Sequence, residues 1–210
     1  MIRTSLPLSI AWFLGVTLLA ASAFAQTDVD SPSGPKMIPV VTVTGTGADE
    51  SPAYWWETPA DPAWTQFDRT LLENLSRQGI PTVDFTDPPR ISRIYQRPTL
   101  SLQNAAALCS LLEVRRLLHG VVDVTVQTPG PSQGTTFAKA TAQLKLVDTG
   151  ARAPTVLQEV SIERSAAAPS RRAAVERVQA RAAEAAASVV GRIARRSGGR
   201  MSIERKEPLI

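Results

Sequence analysis

One cysteine and one histidine in 210 residues remove whole classes of chemistry before any motif is sought. A single cysteine forms no internal disulfide, so the fold has to hold by burial. Zinc draws on about four Cys, His or carboxylate ligands, and the soft part of that set is missing; no metal and no cofactor is expected. A Ser-His-Asp or Cys-His arrangement would have to be built around His119, which lies inside the β-rich run RLLHGVV. Cys109 sits in the apolar helical run NAAALCSLLEV, where a free thiol behaves as a small hydrophobe. No Walker loop and no Gly-x-Ser-x-Gly elbow occurs. Gly45-Thr46-Gly47 lacks the third glycine of a dinucleotide loop, and no helix follows it directly. No residue is assigned a catalytic role.

Long apolar runs are scarce as well. The one candidate is the start of the chain, MIRTSLPLSIAWFLGVTLLAASAFA, which has Arg3 as its positive end, an apolar stretch over 6–19, and Ala23-Phe24-Ala25 as the small-x-small pattern that signal peptidase reads. Pro7, Ser9, Gly15 and Thr17 break the run, and it is shorter than the roughly 20 residues of a spanning helix. A cleaved signal over 1–25 is expected, with no stable membrane insertion of what remains. No cysteine lies near Ala25 to take acyl chains, so the expectation is an exported, periplasmic protein that is not a lipoprotein.

Charge of one sign is not in excess: the net charge is +4, too mild to imply nucleic acid. Its distribution is uneven, because Arg171, Arg172, Arg177, Arg181, Arg192, Arg195, Arg196 and Arg200 face only Glu176 and Glu184 over one stretch. Aromatic residues make up 5%, yet Tyr54, Trp55 and Trp56 are consecutive and Trp64 follows closely. Adjacent tryptophans on regular backbone face different ways, and exposed Trp and Tyr anchor interfaces.

About 185 residues remain after the signal, enough for one domain. The polar, turn-rich run 26–36 reads as a flexible leader. A first strand spans 37–44, with Pro39 suited to a strand start or an edge. A helix over 63–78 follows from the spacing of Trp64, Phe67, Leu71, Leu72 and Leu75, with Asp61 as N-cap, Pro62 at its first position and Gly79 closing it. A short strand over 80–85 then pairs in parallel with the first. A second helix, capped by Thr99 or Ser101, reaches 112. Three β-rich runs, 116–127, 136–147 and 154–164, form an antiparallel meander. In the second, Ala138, Ala140, Ala142, Leu144 and Leu146 share one face against Lys139, Thr141, Gln143 and Lys145 on the wet one, with Phe137 and Val147 as exceptions. A long helix over 170–196 closes the domain, and 197–210 is a loose tail. The order β-α-β-α-β-β-β-α predicts an α/β (α+β) sandwich with a mixed sheet over 37–196.

Three segments, LLENLSRQGIPTVDF, NAAALCSLLEVRRLLHGVVDV and TAQLKLVDTGARAPTVLQEVSIERS, resemble the domain shared by the N-terminal module of TolB, the curli secretion lipoprotein CsgG, the lipoprotein activators of penicillin-binding proteins (LpoB) and flagellar assembly protein T. The matching positions are Gly79, Gly120, Val147, Asp148, Thr149 and Gly150, the last glycine coming sooner after the aspartate than in the family pattern. The resemblance implies a non-enzymatic bacterial envelope protein that docks onto a larger assembly: a flagellar, cell-wall synthase or secretion machine, or a peptidoglycan-associated protein. The surfaces expected to carry docking are a sheet edge, the loop with Tyr54, Trp55 and Trp56, and the basic helix with Arg171, Arg181, Arg192 and Arg195; a homo-oligomer is an open alternative. A competing reading, a small-ligand- or glycan-binding or processing protein, rests on Asp84 and Asp87 at the end of the second strand, where Asp before Pro88-Pro89 is also ordinary turn chemistry.

Overall fold

In the computed structural model, strand β1 (Met37–Thr46) lies parallel to β2 (Arg116–Gln127), which continues antiparallel into β3 (Thr136–Asp148) and β4 (Thr155–Ala168), giving the sheet order β1-β2-β3-β4. Residues 35–46, 52–57, 65–83, 91–127, 134–150 and 153–199 are described, all within the unit Pro32–Ile210. The segments expected as a signal over 1–25, a leader up to 34 and a tail beyond 199, with Asp61, Pro62, Trp64, Asp84 and Asp87, lie outside the described residues. Helices α1 (Gln66–Arg77), α2 (Leu102–Leu111) and α3 (Arg171–Gly199) complete the α+β fold expected from the sequence.

The ends of α1 and α2 are set by local chemistry. Gly79, at φ +71°, closes α1: its N–H donates to the Ser76 carbonyl at 2.8 Å and the Ile80 N–H to the Leu75 carbonyl at 3.1 Å, the paired bonds of a left-handed cap. Ser101, one of the two expected caps, accepts the Asn104 N–H at 3.2 Å and starts α2. The same left-handed cap ends α2, but with Glu113 at φ 53°, a residue type that pays for this geometry where glycine does not. The N-terminus of α1 has no side-chain cap from Thr65. Instead Gln179 of α3, fully buried, accepts the Phe67 N–H at 3.0 Å.

One expected strand is reduced. Residues 80–83 contribute a single parallel bridge, Thr82 to Met37, in which the Met37 N–H donates to the Pro81 carbonyl at 2.9 Å and the Val83 N–H to the Met37 carbonyl at 2.8 Å. Pro81 has no N–H to extend a ladder. The chain here turns round the outer edge of β1 from one face of the sheet to the other, because α1 packs on one face and α2 on the opposite one. On the first face Phe67, Leu71 and Leu75 of α1 meet Val41, Val43, Leu118, Val122 and the small side chains of β3. Ala138, Ala140 and Ala142 let the alanine-rich α3 approach closely, and Ala174, Ala182, Ala183, Ala186 and Ala187 are all buried there. On the same helix Val190 and Ala194 are buried, whereas Val189 and Ile193 are half-buried. On the second face Ile38, Val40, Leu117 and Val147 pack under α2 and Trp55, which is why Val147 is buried despite its parity. Over β3 and β4 the rest of that face is wet as expected, with Lys139–Glu163 at 3.0 Å and Lys145–Glu159 at 2.8 Å paired across the two strands and Phe137 51% exposed.

Two features fix the register of β2. Gly120 has φ +152°, and a Cβ there would run into the Gln143 carbonyl oxygen and sit 2.9 Å from Leu144 Cα; only glycine fits. At the start of the strand, Asp148 joins three elements. Its Oδ1 accepts from Arg115 Nε at 3.1 Å and from the Gly150 N–H at 2.8 Å, and its Oδ2 from Arg116 Nε at 3.3 Å. Arg116 Nη1 donates on to the Ala194 carbonyl of α3 at 3.2 Å. The Arg116 and Asp148 side chains are 3% and 9% exposed. Burial alone would raise the Asp148 carboxyl, but the Gly150 amide and the two guanidiniums outweigh it and hold it below its ordinary value.

Asp148→Ala would strand Arg116 as a buried unpaired cation, so a loss of about 3–5 kcal/mol is expected in denaturant unfolding. A midpoint within error of the parent's would remove this pair from the centre of the fold.

Candidate functional site

The residues from which function was expected fall on separate surfaces. Val43 and Ala53 exchange backbone bonds of 2.9 and 2.8 Å, and this bridge seats residues 52–57 on the outer edge of β1. A turn follows, closed by the Glu57 N–H on the Tyr54 carbonyl at 3.0 Å. It sends the two tryptophans different ways. Trp55 enters the core under α2, 8% exposed, with its Nε1–H donated to the Arg97 carbonyl at 3.0 Å. Trp56 stays half-buried and stacks on Tyr54, ring centroids 4.5 Å apart and planes at 16°. Trp55 meets Trp56 edge to face at 5.4 Å and 88°, and Trp56 Nε1 donates to Glu57 Oε1 at 3.1 Å. Of the three expected docking aromatics, Tyr54 and Trp56 present surface, and Trp55 holds them in place.

The arginines of α3 do not act together. Arg171 and Arg195 stand roughly 36 Å apart along the helix at 1.5 Å per residue. Arg172 pairs with Glu176 at 3.0 Å. Arg177 and Arg181 donate to the Ala167 and Ser165 carbonyls of β4, each at 2.9 Å, and Arg164 to the Glu163 carbonyl at 2.8 Å. These three carbonyls share one parity on an edge strand, so the edge expected to be open for docking is occupied by the chain's own guanidiniums. Further along, Arg195 donates to Gln78 Oε1 at 3.2 Å, while Arg192 and Arg196 are exposed. The aromatic stack lies towards the α2 face and these arginines on the opposite one.

His119 is 3% exposed on the α2 face of β2. Its Nδ1 accepts the Leu100 N–H at 3.4 Å, tying the loop before α2 to the sheet. Burial, and then the positive charge of Lys145 on β3, lower its pKa from 6.5 to about 4. Cys109 is buried, and burial raises its thiol pKa, with the Thr149 hydroxyl acting the other way. Among the described residues no group of three His, Cys, Asp or Glu is placed to hold a metal ion, and no helix is long and apolar enough to cross a membrane. The residues that sequence reasoning passed over are Arg115, Arg116 and Gln179. The available signals were a double arginine opening an apolar strand, and one amide inside an alanine-rich stripe.

No protein-family model matches the chain, and no curated protein matches it in sequence. Solved structures are similar at low identity. A hypothetical protein, CT253, of Chlamydia trachomatis is 12% identical with a TM-score of 0.38, covering 80% of this chain and 96% of that one. Lipoprotein GNA1162 of Neisseria meningitidis is 16% identical with a TM-score of 0.36, covering 77% and 99%. A minor lipoprotein of Acinetobacter baumannii is 8% identical with a TM-score of 0.31, covering 78% and 92%. None of these three is named as TolB, CsgG, a penicillin-binding-protein activator or flagellar assembly protein T, and the narrower resemblance rests on its short motifs alone. Two of the three are named lipoproteins, which overturns the expectation, drawn from the missing cysteine near Ala25, of a periplasmic protein that is not a lipoprotein; it is withdrawn.

His119 sets an acid limit on stability. Between pH 6.5 and about 4 the unfolded chain takes up a proton that the folded imidazole refuses, so the stability it permits is full above 6.5 and falls as the pH drops through that window. Asp148, with its lowered pKa, adds to the loss only at still lower pH. His119→Gln should flatten the pH dependence of the urea midpoint across the window by up to about 3 kcal/mol. The same slope in parent and variant would assign the acid sensitivity elsewhere.

Proposed function

We propose that this chain is a non-catalytic docking module of the bacterial cell envelope, an accessory or assembly factor that presents the Tyr54–Trp56 stack to a component of a larger protein complex or to a peptidoglycan-associated protein. The observation that carries the reading is the stack itself: two large aromatic rings in face-to-face contact at 4.5 Å, half out of solvent, mounted on a tryptophan buried in the core. An aromatic anchor contributes to binding when little freedom is lost on contact. Here the neighbouring ring, the Trp55 edge and the Glu57 carboxylate have already removed most of the freedom of Trp56. Tyr and Trp also dominate measured interface energetics, each truncation at a central position costing about 2 kcal/mol or more.

The test is crosslinking in cells with the tagged full chain, purification under denaturing conditions and identification of partners by mass spectrometry. Tyr54→Ala with Trp56→Ala should reduce capture of the dominant partner at least tenfold while leaving the melting temperature within a few degrees. Trp55→Ala should behave differently and lower stability by about 3–5 kcal/mol, as large-to-small changes in a core do. Unchanged capture by the Tyr54/Trp56 variant would sink the proposal.

A further inference from the structure

A second surface, independent of the aromatic stack, stands at the C-terminal end of α3. Arg192, Arg195 and Arg196 are spaced i, i+3 and i+4, so their guanidiniums rise from one face within a single turn. All three are exposed. Arg195 reaches Gln78 at the end of α1, and the residue before it, Arg77, is exposed and paired with Glu73 at 3.2 Å. Helices α1 and α3 run parallel: Phe67 meets Gln179, and Gln78 meets both Gly191 and Arg195, a Cβ on Gly191 running into the Gln78 side chain. The C-terminus of α1 therefore lies beside Gly191–Arg195 of α3, and no acidic residue follows Glu184 in α3.

The other basic residues of α3 have work inside the domain. Arg177 and Arg181 cover the β4 edge and Arg172 pairs with Glu176. Arg192 and Arg196 make no hydrogen bond or ion pair among the described residues. Three like charges in one turn repel one another; the negative end of the helix dipole offsets part of that cost for Arg196, in the last turn, and an external anionic surface would offset the rest.

We propose that this turn seats the domain on a membrane surface carrying anionic lipid headgroups. The patch lacks the apolar centre of a protein interface: among the described residues the exposed large hydrophobic ones are Ile94, Leu102, Leu111, Phe137 and Val156, none of them in α3. Nor does a helix surface offer the concave site that a small free anion requires. What it offers is concentrated positive charge and planar donors that match phosphate geometry, which suits a laterally mobile array of phosphodiesters. Attraction near such a surface is worth about 1 kcal/mol per basic residue.

The test is co-sedimentation of the full chain with phosphatidylcholine vesicles and with vesicles containing about one third phosphatidylglycerol. At that energy per residue, the parent should prefer the anionic vesicles, and Arg192→Gln/Arg195→Gln/Arg196→Gln should reduce that preference by about 100-fold, with an unchanged melting temperature. Arg177→Gln/Arg181→Gln, which uncovers the β4 edge, should lower the melting temperature and leave the preference intact. Equal binding of the parent to both vesicle types would overturn the proposal. So would a triple variant that keeps the parent's preference, including one that loses only a protein partner, since the patch would then face an acidic protein. Failure here would leave the Tyr54–Trp56 reading untouched, because that reading is scored by partner capture.

Discussion

The fold turns on a carboxylate buried between two arginines. Asp148 ends β3, Arg115 and Arg116 open β2, and Arg116 reaches the Ala194 carbonyl near the end of α3. Taking both charges out of water costs several kcal/mol per ion, and attraction repays it only where the remaining donors and acceptors are met. They are met here: Gly150 gives Asp148 a backbone N–H, and the Thr149 N–H and hydroxyl both bond the Arg115 carbonyl at 2.9 Å. A Cβ on Gly150 would overlap the Arg115 guanidinium and displace it from Asp148. The run Val147-Asp148-Thr149-Gly150, which looks like a family signature in sequence, is in physical terms the hairpin's lock. It sets where β2 starts, and so which of its side chains meet α3 and which meet α2.

With β2 fixed, each sheet edge is dealt with separately. On the β1 side Pro39 lacks an N–H, and the bridges to Ala53 and Thr82 occupy the backbone of Val43 and Met37. On the β4 side, arginine side chains take the carbonyls that another strand would need. A sheet whose edges are occupied in this way resists strand addition, so a partner would have to be met by side chains rather than by edge pairing. Two of the seven arginines of α3, Arg177 and Arg181, are thus explained by the sheet rather than by a partner. The arginine composition alone carries no such division of labour.

Much of the architecture was legible because periodicity reports burial. The alternation of β3, the Ser101 cap and the Gly79 turn each follow from local chemistry, and the structure places them as the sequence suggests. What was not legible depends on non-local partners. The strand expected over 80–85 reads well in isolation, but the residues described there keep one bridge because the chain is crossing from one face of the sheet to the other at Pro81. Gln179 looks like an irregularity in an apolar stripe until α1 brings the unsatisfied Phe67 N–H to it. Trp55 and Trp56 are equivalent in sequence, and only the Val43–Ala53 bridge decides which of them is buried. The arginines were legible as a group and misleading as one, because their partners are backbone carbonyls of another element.

The two proposed surfaces have a geometric consequence when taken together. The aromatic stack belongs with the face that carries α2, and the Arg192–Arg196 turn with the face covered by α1 and α3, the sheet lying between them. A domain held to anionic headgroups by α3 would hold Tyr54 and Trp56 away from the lipid, towards whatever complex they meet, so neither contact would obstruct the other. Membrane attraction would then raise the local concentration of the aromatic stack near envelope assemblies without competing for it, and the two binding constants would multiply in effect, as linked binding events do. The rigidity this requires comes from the middle of the structure: Arg116 ties α3 to the β2–β3 hairpin on one side of the sheet, His119 ties the loop before α2 to the same strand on the other, and displacement of either surface would have to break a buried contact on β2.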